Sequence, residues 1–283
     1  MSPMLDGYQL VTPDTLSEAL EDLAAHPEAR PFAGGTDLMV LLEAGHLPPG
    51  RFVSLANCRE LFGIERTSDG GLEIGALTTY TDIRRSPAID DGYRMLKLAA
   101  ADTGGIATQN RGTVGGNIAN ASPAADTPPV LLAYDAELEL LSASGARRVP
   151  YASFHRGYKQ MDLTPGELIA RIILPPRTVD REYYRKVGTR RAQAISKVCF
   201  AGTIAVDAAV VRDVRIALGS VAPTVIRARR TEDALRGRPL DAAVIAGATE
   251  TLVSEIAPID DLRSTARYRA RVASNLLNAF LAL

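Results

Sequence analysis

The sequence has few residues that bind metals through nitrogen or sulfur. Its 283 residues include two cysteines, Cys58 and Cys199, and three histidines, His26, His46 and His155. The cysteines are far apart, which excludes a disulfide framework and a four-thiolate iron–sulfur or zinc site. The histidines are scattered without the spacing of metal ligands. We therefore expect no metal site on this chain.

The sequence also lacks a long apolar run and a large net charge. No stretch reaches the roughly 18 apolar residues that span a bilayer, and the first residues, which include Asp6, show no signal-peptide pattern. The formal net charge is −1 at pH 7, with 32 basic and 33 acidic side chains, so the basic footprint of a nucleic-acid-binding protein is missing. We expect a cytoplasmic protein with no membrane span and no nucleic-acid partner.

The first fifty residues alternate between strand-like and helix-like patterns. A helical pattern over residues 14–25 has Asp14 or Thr15 as its N-cap. Short apolar runs at 31–33 and 51–55 flank a second helical pattern, which Gly45 ends. This order predicts a small α/β unit with parallel strands.

From about residue 60 the pattern changes to antiparallel strands mixed with helices. The sequence predicts strands at 72–76 and 168–174, helices at 78–86 and 90–101, and a hairpin formed by 136–141 and 147–149. Pro175 and Pro176 then stop any regular element. We expect a domain over residues 1–176 with subdomains of about 1–58 and 59–176.

The last hundred residues contain strands followed by helices. Strand-like segments at 182–187, 198–211 and 214–221 precede three helices near 230–236, 241–254 and 266–282. This pattern predicts a C-terminal domain over 177–283 with a three-stranded antiparallel sheet backed by helices. The fold class expected for the whole chain is α+β.

Two segments combine a Gly-Gly pair with a hydroxyl side chain and a carboxylate or amide. We call residues 33–37, Ala-Gly-Gly-Thr-Asp, the first glycine segment, and residues 113–117, Thr-Val-Gly-Gly-Asn, the second. Paired glycines let successive backbone N–H groups converge on phosphate oxygens. Two such segments about eighty residues apart suggest a bipartite ligand such as a dinucleotide. Neither matches the Rossmann fingerprint or the P-loop.

The first glycine segment precedes a helix, whose first N–H groups and dipole favour a phosphate. Thr36 adds a hydroxyl donor, whereas Asp37 would repel a phosphate and either caps the helix or accepts from a sugar hydroxyl. The alternative is a tight strand-to-helix turn without a ligand. After the second segment, small residues up to Asp126 form either a ligand-facing surface or a wide irregular loop. At Gly115, an added Cβ is expected to fill the space that a phosphate needs.

The two segments, in this order, closely resemble the FAD-binding (medium) subunit of the molybdenum hydroxylases. This family includes xanthine dehydrogenase, carbon monoxide dehydrogenase and 4-hydroxybenzoyl-CoA reductase. The resemblance rests on residues 33–38 and 111–126 and continues through 154–159, 163–175, 184–191, 219–224 and 268–269. It covers essentially the whole chain. It implies a two-subdomain PCMH-type FAD-binding fold followed by an α+β C-terminal domain.

The resemblance also implies which residues hold FAD. Around the diphosphate and ribityl portion it places Pro31, Phe32, Ala33, Gly34, Gly35, Thr36, Asp37 and Leu38, and on the opposite side Thr113, Val114, Gly115, Gly116 and Asn117. Thr103 and Gly104 would lie by the adenosine side, Asp126 would offer a carboxylate, Ile169 would be an apolar neighbour, and Lys186 would contact the flavin region. Without the resemblance, Lys186 would be interpreted as a solvated residue at the end of a strand. No residue is expected to act as acid, base or nucleophile, because the isoalloxazine carries the chemistry.

The missing cluster ligands imply partner chains. The resemblance places the molybdenum cofactor on a large subunit and the [2Fe-2S] clusters on a small subunit, in a dimer of heterotrimers. Electrons would pass from the clusters to FAD and on to a soluble acceptor. Residues 188–194 are basic and neutral where animal xanthine dehydrogenases are acidic, so a preference for NAD is not carried over. Residues 190–197 resemble purine- and N-heterocycle-hydroxylating members.

Two other functions remain open from the sequence. One is a free-standing flavin-dependent oxidase of related fold, which would oxidise its substrate directly at the flavin. The other is a nucleotide-binding or scaffolding protein that holds no flavin.

Overall fold

The computed structural model describes residues 6–190 and 193–282. Its first unit is a three-stranded parallel sheet in the order β1-β3-β2 with two helices. The elements are β1 (Tyr8–Val11), α1 (Leu16–Ala25), β2 (Arg30–Phe32), α2 (Leu38–Glu43) and β3 (Gly50–Ser54). Thr15 rather than Asp14 is the N-cap of α1, since its hydroxyl accepts from the Glu18 N–H. The predicted parallel α/β unit is confirmed.

The second unit is built on a five-stranded antiparallel sheet in the order β4-β5-β10-β6-β7. Its strands are β4 (Ile64–Arg66), β5 (Leu72–Gly75), β6 (Glu137–Ser142), β7 (Gly145–Pro150) and β10 (Leu168–Leu174). Its helices are α3 (Tyr80–Arg85), α4 (Arg94–Asp102), α5 (Ile106–Gln109), α6 (Val114–Asn120), α7 (Pro128–Ala133) and α8 (Tyr151–Phe154). A small hairpin of β8 (His155–Gly157) and β9 (Gln160–Met161) follows α8.

The two faces of the five-stranded sheet bury different cores. On β10, Ile172 and Leu174 pack with the helices of the second unit. Leu168 and Ala170 face the other way and pack with Leu23 of α1. In a regular strand residues 168, 170, 172 and 174 would share one face. The register shift between Ile169 and Arg171 marks the point where β10 changes face, so its first residues pack against the parallel unit and its last residues against the helices of the second unit.

The C-terminal unit is an antiparallel sheet in the order β11-β12-β13-β14, backed by three helices. The elements are β11 (Arg181–Val187), β12 (Val198–Asp207), β13 (Val210–Gly219), β14 (Ile226–Arg227), α9 (Arg229–Leu235), α10 (Ala242–Glu255) and α11 (Ala266–Leu281). The predicted three strands are present, and the two-residue β14 adds a fourth at one edge. The turn was expected near residues 212–213, but the chain reverses at Ala208 and Ala209, which both have positive φ.

Helix α7 joins the second unit to the C-terminal sheet. All six of its residues are buried, and it packs against β12 and β13. Just beyond it, Asp135 accepts hydrogen bonds from Arg215 Nε at 2.7 Å and from Arg227. Burial opposes ionisation, but the two arginines hold the pKa of Asp135 below its ordinary value.

The described residues include no helix long and apolar enough to span a bilayer. The division at residues 58 and 176 stays a prediction.

We predict that Asp135→Asn destabilises the fold through this contact. Loss of the carboxylate removes the charge partner of Arg215 and one partner of Arg227, with an expected cost of about 1–2 kcal/mol at pH 7. This range allows for a side chain that is 38% exposed. Because the pKa of this carboxyl is lower in the folded protein than in the unfolded chain, its ionised form stabilises the native state at any pH above the unfolded-state pKa. The difference in stability between the variant and the wild type should therefore decrease below that pKa and disappear as the pH falls through the folded-state pKa. Urea unfolding at several pH values measures both effects.

Asp233→Asn is the matched control. Asp233 pairs with Arg236 across one helical turn with a 70% exposed side chain, so its loss should change the free energy of unfolding by less than about 0.5 kcal/mol. Equal losses in the two variants would contradict the role assigned to Asp135.

Candidate functional site

The first glycine segment connects β2 to α2. Gly35 has a φ of +75°, a conformation that L side chains rarely adopt, and its carbonyl accepts from the Met39 N–H at 2.9 Å. Asp37 precedes α2 but its side chain makes no capping bond. It accepts instead from the Asn120 amide at 3.2 Å. The helix-capping alternative for Asp37 is therefore wrong.

The backbone of this segment has unused donors. Within the described part of the chain, the N–H groups of residues 34–37 donate to no protein acceptor, and the Thr36 hydroxyl makes no hydrogen bond. Backbone N–H groups that have no partner in the protein need one from outside it. The amides of this segment are therefore available to an anion such as a phosphate.

The second glycine segment differs from the prediction. It is the start of helix α6, with Thr113 as N-cap accepting from the Gly116 N–H at 3.1 Å. The Val114 and Gly115 N–H groups donate to the carbonyls of Thr78 and Ala76. These amides are already used, so the expectation of a loop whose free amides grip a diphosphate from the second side is wrong. Thr113 and Gly116 instead line a cleft, which is described below.

Gly115 also points away from the expected space. A Cβ at this position would lie 2.6 Å from the Ala76 Cβ and 2.8 Å from its carbonyl oxygen. A side chain would therefore disturb the contact between α6 and the chain after β5 rather than fill a phosphate site. The expectation that a Cβ at Gly115 would fill a phosphate site is therefore wrong. This glycine is needed because α6 packs closely against Ala76.

Gly34 brings the two segments together. A Cβ on Gly34 would lie 1.9 Å from the carbonyl oxygen of Arg111 and 3.2 Å from the Gly112 Cα. No side chain fits there. The first segment can therefore lie directly on the turn before α6, and the two segments form opposite walls of one cleft.

This cleft has a volume of about 400 Å³. The predicted residues that line it are Pro31, Ala33, Gly34, Gly35, Thr36, Asp37, Leu38, Thr103, Thr113, Gly116 and Asn117. The lining residues that the prediction missed are Tyr80, Thr108, Gly112, Ala119, Asn120 and Lys159. Gly112 precedes Thr113 directly in the sequence, whereas Tyr80 and Lys159 come from distant elements and have no local signal.

A second cavity, of about 690 Å³, adjoins the first through their shared residue Thr108. It is lined by Val40, Gly104, Gly105, Ile106, Ala107, Thr108, Asp126, Gln193, Ala194 and Ile195. Val40, Ile106 and Ile195 are exposed apolar side chains. Gln193 lies over Gly105, where an added Cβ would be 2.6 Å from the Gln193 Nε2. Of the basic segment 188–194, residues 191 and 192 lie outside the described part.

A buried ion pair lies at the base of the second cavity. Lys186 Nζ donates to Asp126 Oδ2 at 2.6 Å and to the Asp102 carbonyl at 2.8 Å. Burial raises the pKa of Asp126 to about 6, although Lys186 opposes this. The other oxygen of Asp126, Oδ1, is buried with no partner among the described residues. The Lys186 side chain is only 8% exposed, so the residue is not a solvated strand end.

The remaining predicted residues lie outside the first cleft. Phe32 packs behind Gly35, Val114 is buried in α6, and Ile169 is a core residue of β10. Gly104 shares the second cavity with Asp126, and Lys186 bonds to Asp126. The two adjoining cavities form one trough. Gly104 and Lys186 both lie at the end of this trough that the second cavity forms, so they do not fit opposite ends of a dinucleotide.

The sequence matches two family descriptions that together cover most of the chain. Residues 6–177 match the FAD binding domain in molybdopterin dehydrogenase, and residues 182–283 match the CO dehydrogenase flavoprotein C-terminal domain. The chain belongs to this family of FAD-binding subunits of molybdenum hydroxylases, which are oxidoreductases. The PCMH-type fold and the recognised family are confirmed.

Similar proteins support the family over nearly their full length. The xanthine dehydrogenase FAD-binding subunit of Escherichia coli O157:H7 is 31% identical over 93% of this chain and 90% of its own length. The glyceraldehyde dehydrogenase medium chain of Sulfolobus acidocaldarius is 32% identical over 95% of both chains. Both are components of dehydrogenases by name, which favours a subunit over a free-standing oxidase and over a scaffold without flavin.

Solved structures show the same fold. A chain of carbon monoxide dehydrogenase from Hydrogenophaga pseudoflava superposes with a TM-score of 0.92 at 27% identity, covering 97% of this chain and 96% of that one. A chain of quinoline 2-oxidoreductase from Pseudomonas putida 86 gives a TM-score of 0.90 at 27% identity, covering 97% and 95%.

The residues of the trough fit FAD. The amides of residues 34–37, which have no acceptor in the part of the chain that the structure describes, suit phosphate oxygens. Asn117 Oδ1 and Asp126 Oδ1 are buried acceptors without partners in the described structure, and they suit the hydroxyl and N–H donors of a flavin nucleotide. The aliphatic side chains of the second cavity suit an aromatic ring system.

We predict that Gly34→Ala weakens FAD binding by separating the two segments. The added methyl group occupies the position of the Arg111 carbonyl, and overpacking of this kind costs about 1–3 kcal/mol unless the backbone moves. We expect a roughly tenfold or larger rise in the Kd for FAD with native circular dichroism. Gly247→Ala is the control, because a Cβ there meets open space. An unchanged Kd for Gly34→Ala would refute the close-packed arrangement.

We also predict that Asp126 and Lys186 are energetically coupled. Their side chains are only 10% and 8% exposed, so Lys186→Met leaves a buried carboxyl without its counter-charge and should cost about 2–4 kcal/mol of unfolding free energy. The double variant with Asp126→Asn should lose at least about 1 kcal/mol less than the sum of the single losses. Chemical unfolding of the four proteins without FAD measures the coupling, and additive losses would contradict it.

Proposed function

We propose that the chain binds one FAD along the trough formed by the two cavities. The diphosphate lies at the first glycine segment, with Thr113, Gly116 and Asn117 on the opposite wall. The isoalloxazine lies in the second cavity near Gly104, Asp126 and Lys186. Phe32, Val114, Gly115 and Ile169 support these walls from behind.

One observation carries this proposal: residues 34–37 line a cleft, and their four backbone N–H groups have no acceptor within the described chain. A strand-to-helix turn without a ligand would leave these donors to water. Convergence of several amides on one cleft is the usual arrangement for binding phosphate. The diphosphate is the part of FAD that matches it.

The second cavity supports the placement of the ring. Asp126 offers its Oδ1, which has no partner among the residues described, to an N–H group, while Lys186 holds the other oxygen and fixes the orientation of the carboxyl. Because Asp126 partly neutralises the charge of Lys186, the isoalloxazine ring would lie beside an ion pair rather than beside an isolated cation. Exposed Val40 and Ile106 provide apolar contacts at the rim.

The function that follows is electron transfer within a larger enzyme. FAD, when bound, accepts electrons from iron–sulfur clusters and passes them to a soluble acceptor. We place the clusters on a small subunit and the molybdenum cofactor on a large subunit, in a cytoplasmic dimer of heterotrimers. Relatives named as a medium chain and as a FAD-binding subunit support this organisation. This chain supplies binding, orientation and electrostatics.

We further propose that the chain divides into a FAD-binding domain, residues 1–176 with subdomains of about 1–58 and 59–176, and a C-terminal domain, 177–283. Pro175 and Pro176 follow β10 and precede the first strand of the C-terminal sheet. The three larger sheets of the described chain, one in each unit, agree with this division.

We predict that the purified chain, reconstituted with FAD, binds one equivalent and shows flavin absorption. Expressed alone, it should leave the flavin oxidised when purines or N-heterocycles are added, because the substrate site lies on another subunit. Expressed with its neighbouring genes, it should co-purify with a large and a small partner. Absorption spectra before and after substrate addition make the measurement. Reduction by an organic substrate without partners would favour the free-standing oxidase, and lack of any bound flavin would refute the proposal.

A further inference from the structure

The proposed function leaves a charge in the first cleft to be balanced. A diphosphate brings negative charge, and the lining already includes the carboxylate of Asp37. The dipoles of the backbone amides offset part of this negative charge, but each carries only a partial charge. Among the lining residues that the structure describes, Lys159 is the one cation.

Lys159 is fixed at the rim of the cleft by its backbone. It occupies the tight turn between β8 and β9 with a φ of 56°. The hairpin is tied to α6, because the His155 Nε2 lies 2.9 Å from the Ile118 carbonyl. Burial lowers the pKa of His155, so the ring is neutral at pH 7 and its Nε2–H donates to that carbonyl. The turn therefore stays beside the end of α6.

The ammonium group of Lys159 has no carboxylate partner in the described structure. Its Nζ donates to the backbone carbonyl and the side-chain oxygen of Asn120, which is a neutral residue. In contrast, Lys186 pairs with Asp126, and Arg156 of the same hairpin pairs with Asp162 at 2.8 Å. The charge of Lys159 is therefore uncompensated and exposed beside the cleft.

We infer that Lys159 is the cationic contact of the cofactor's diphosphate. Asn120 holds the ammonium group at the rim in the unliganded protein, and on binding the Nζ exchanges the Asn120 oxygens for a phosphate oxygen. The Asn120 amide also donates to Asp37, so the same residue keeps the carboxylate occupied. Asn120 thus links Lys159 and Asp37, the one cation and the one anion among the described lining residues of the first cleft. This inference rests on the proposed FAD site.

The test is FAD titration of the flavin-free full-length chain, followed by flavin fluorescence, at about 50 mM and about 500 mM salt. Lys159→Met should raise the Kd by roughly tenfold at low salt, because it removes a charge-assisted contact with phosphate. Screening should reduce that factor at high salt. Lys159→Arg should stay within about threefold of wild type, since it keeps the charge. Arg156→Met, which removes a charge from the same hairpin outside the cleft, should bind as wild type does.

Two results would overturn the inference. One is a wild-type Kd in Lys159→Met. The other is an equal, salt-independent loss in Lys159→Met and Lys159→Arg, which would show that the side chain acts by shape. Thermal unfolding of each flavin-free variant shows that it is folded. If the wild-type chain itself fails to bind FAD, the proposed function fails, and this inference fails with it.

Discussion

The site depends on the close contact between Gly34 and the Arg111 carbonyl. This contact lets a turn from the parallel unit rest on a turn from the antiparallel unit, and the cleft is the space left beside it. Any Cβ at position 34 would compete with a carbonyl oxygen that the backbone around α5 and α6 holds in place. The chain uses glycine here for proximity between two backbones rather than for an unusual φ.

The C-terminal unit contributes to the same site. Lys186 extends from β11 to Asp126, and residues 193–195 cover part of the second cavity. The position of these groups depends on α7, which is buried between the second unit and the C-terminal sheet, and on the Asp135 contacts with Arg215 and Arg227. The walls of the trough therefore come from all three units, and only their joint folding completes it.

Local patterns in the sequence predicted the elements well, because apolar periodicity and capping residues act within a few positions. The parallel unit, the hairpin of β6 and β7, and the three C-terminal helices follow from such patterns. The reversal at Ala208 and Ala209 was missed because both residues have positive φ, where a two-residue turn ordinarily uses Asn or Gly. Here the pairing of two long buried strands overrides the local preference.

The site was predictable only in part, because several of its residues are positioned by contacts with distant parts of the chain. The first glycine segment can be found from its local sequence, but the role of Gly115 depends on Ala76, and Lys159 lies beside the cleft on a hairpin anchored on Ile118. Such contacts between distant residues leave no mark in the local sequence.

The internal hydrogen bonds of α6 have a consequence for the energetics of association. Since the Thr113 hydroxyl and the carbonyls of Ala76 and Thr78 satisfy its first amides, this wall is preorganised and loses little conformational entropy when a nucleotide docks. The amides of residues 34–37, which have no acceptor within the described chain, then supply contacts that form only with the nucleotide. A change in this segment should alter the release rate of the nucleotide more than its rate of capture.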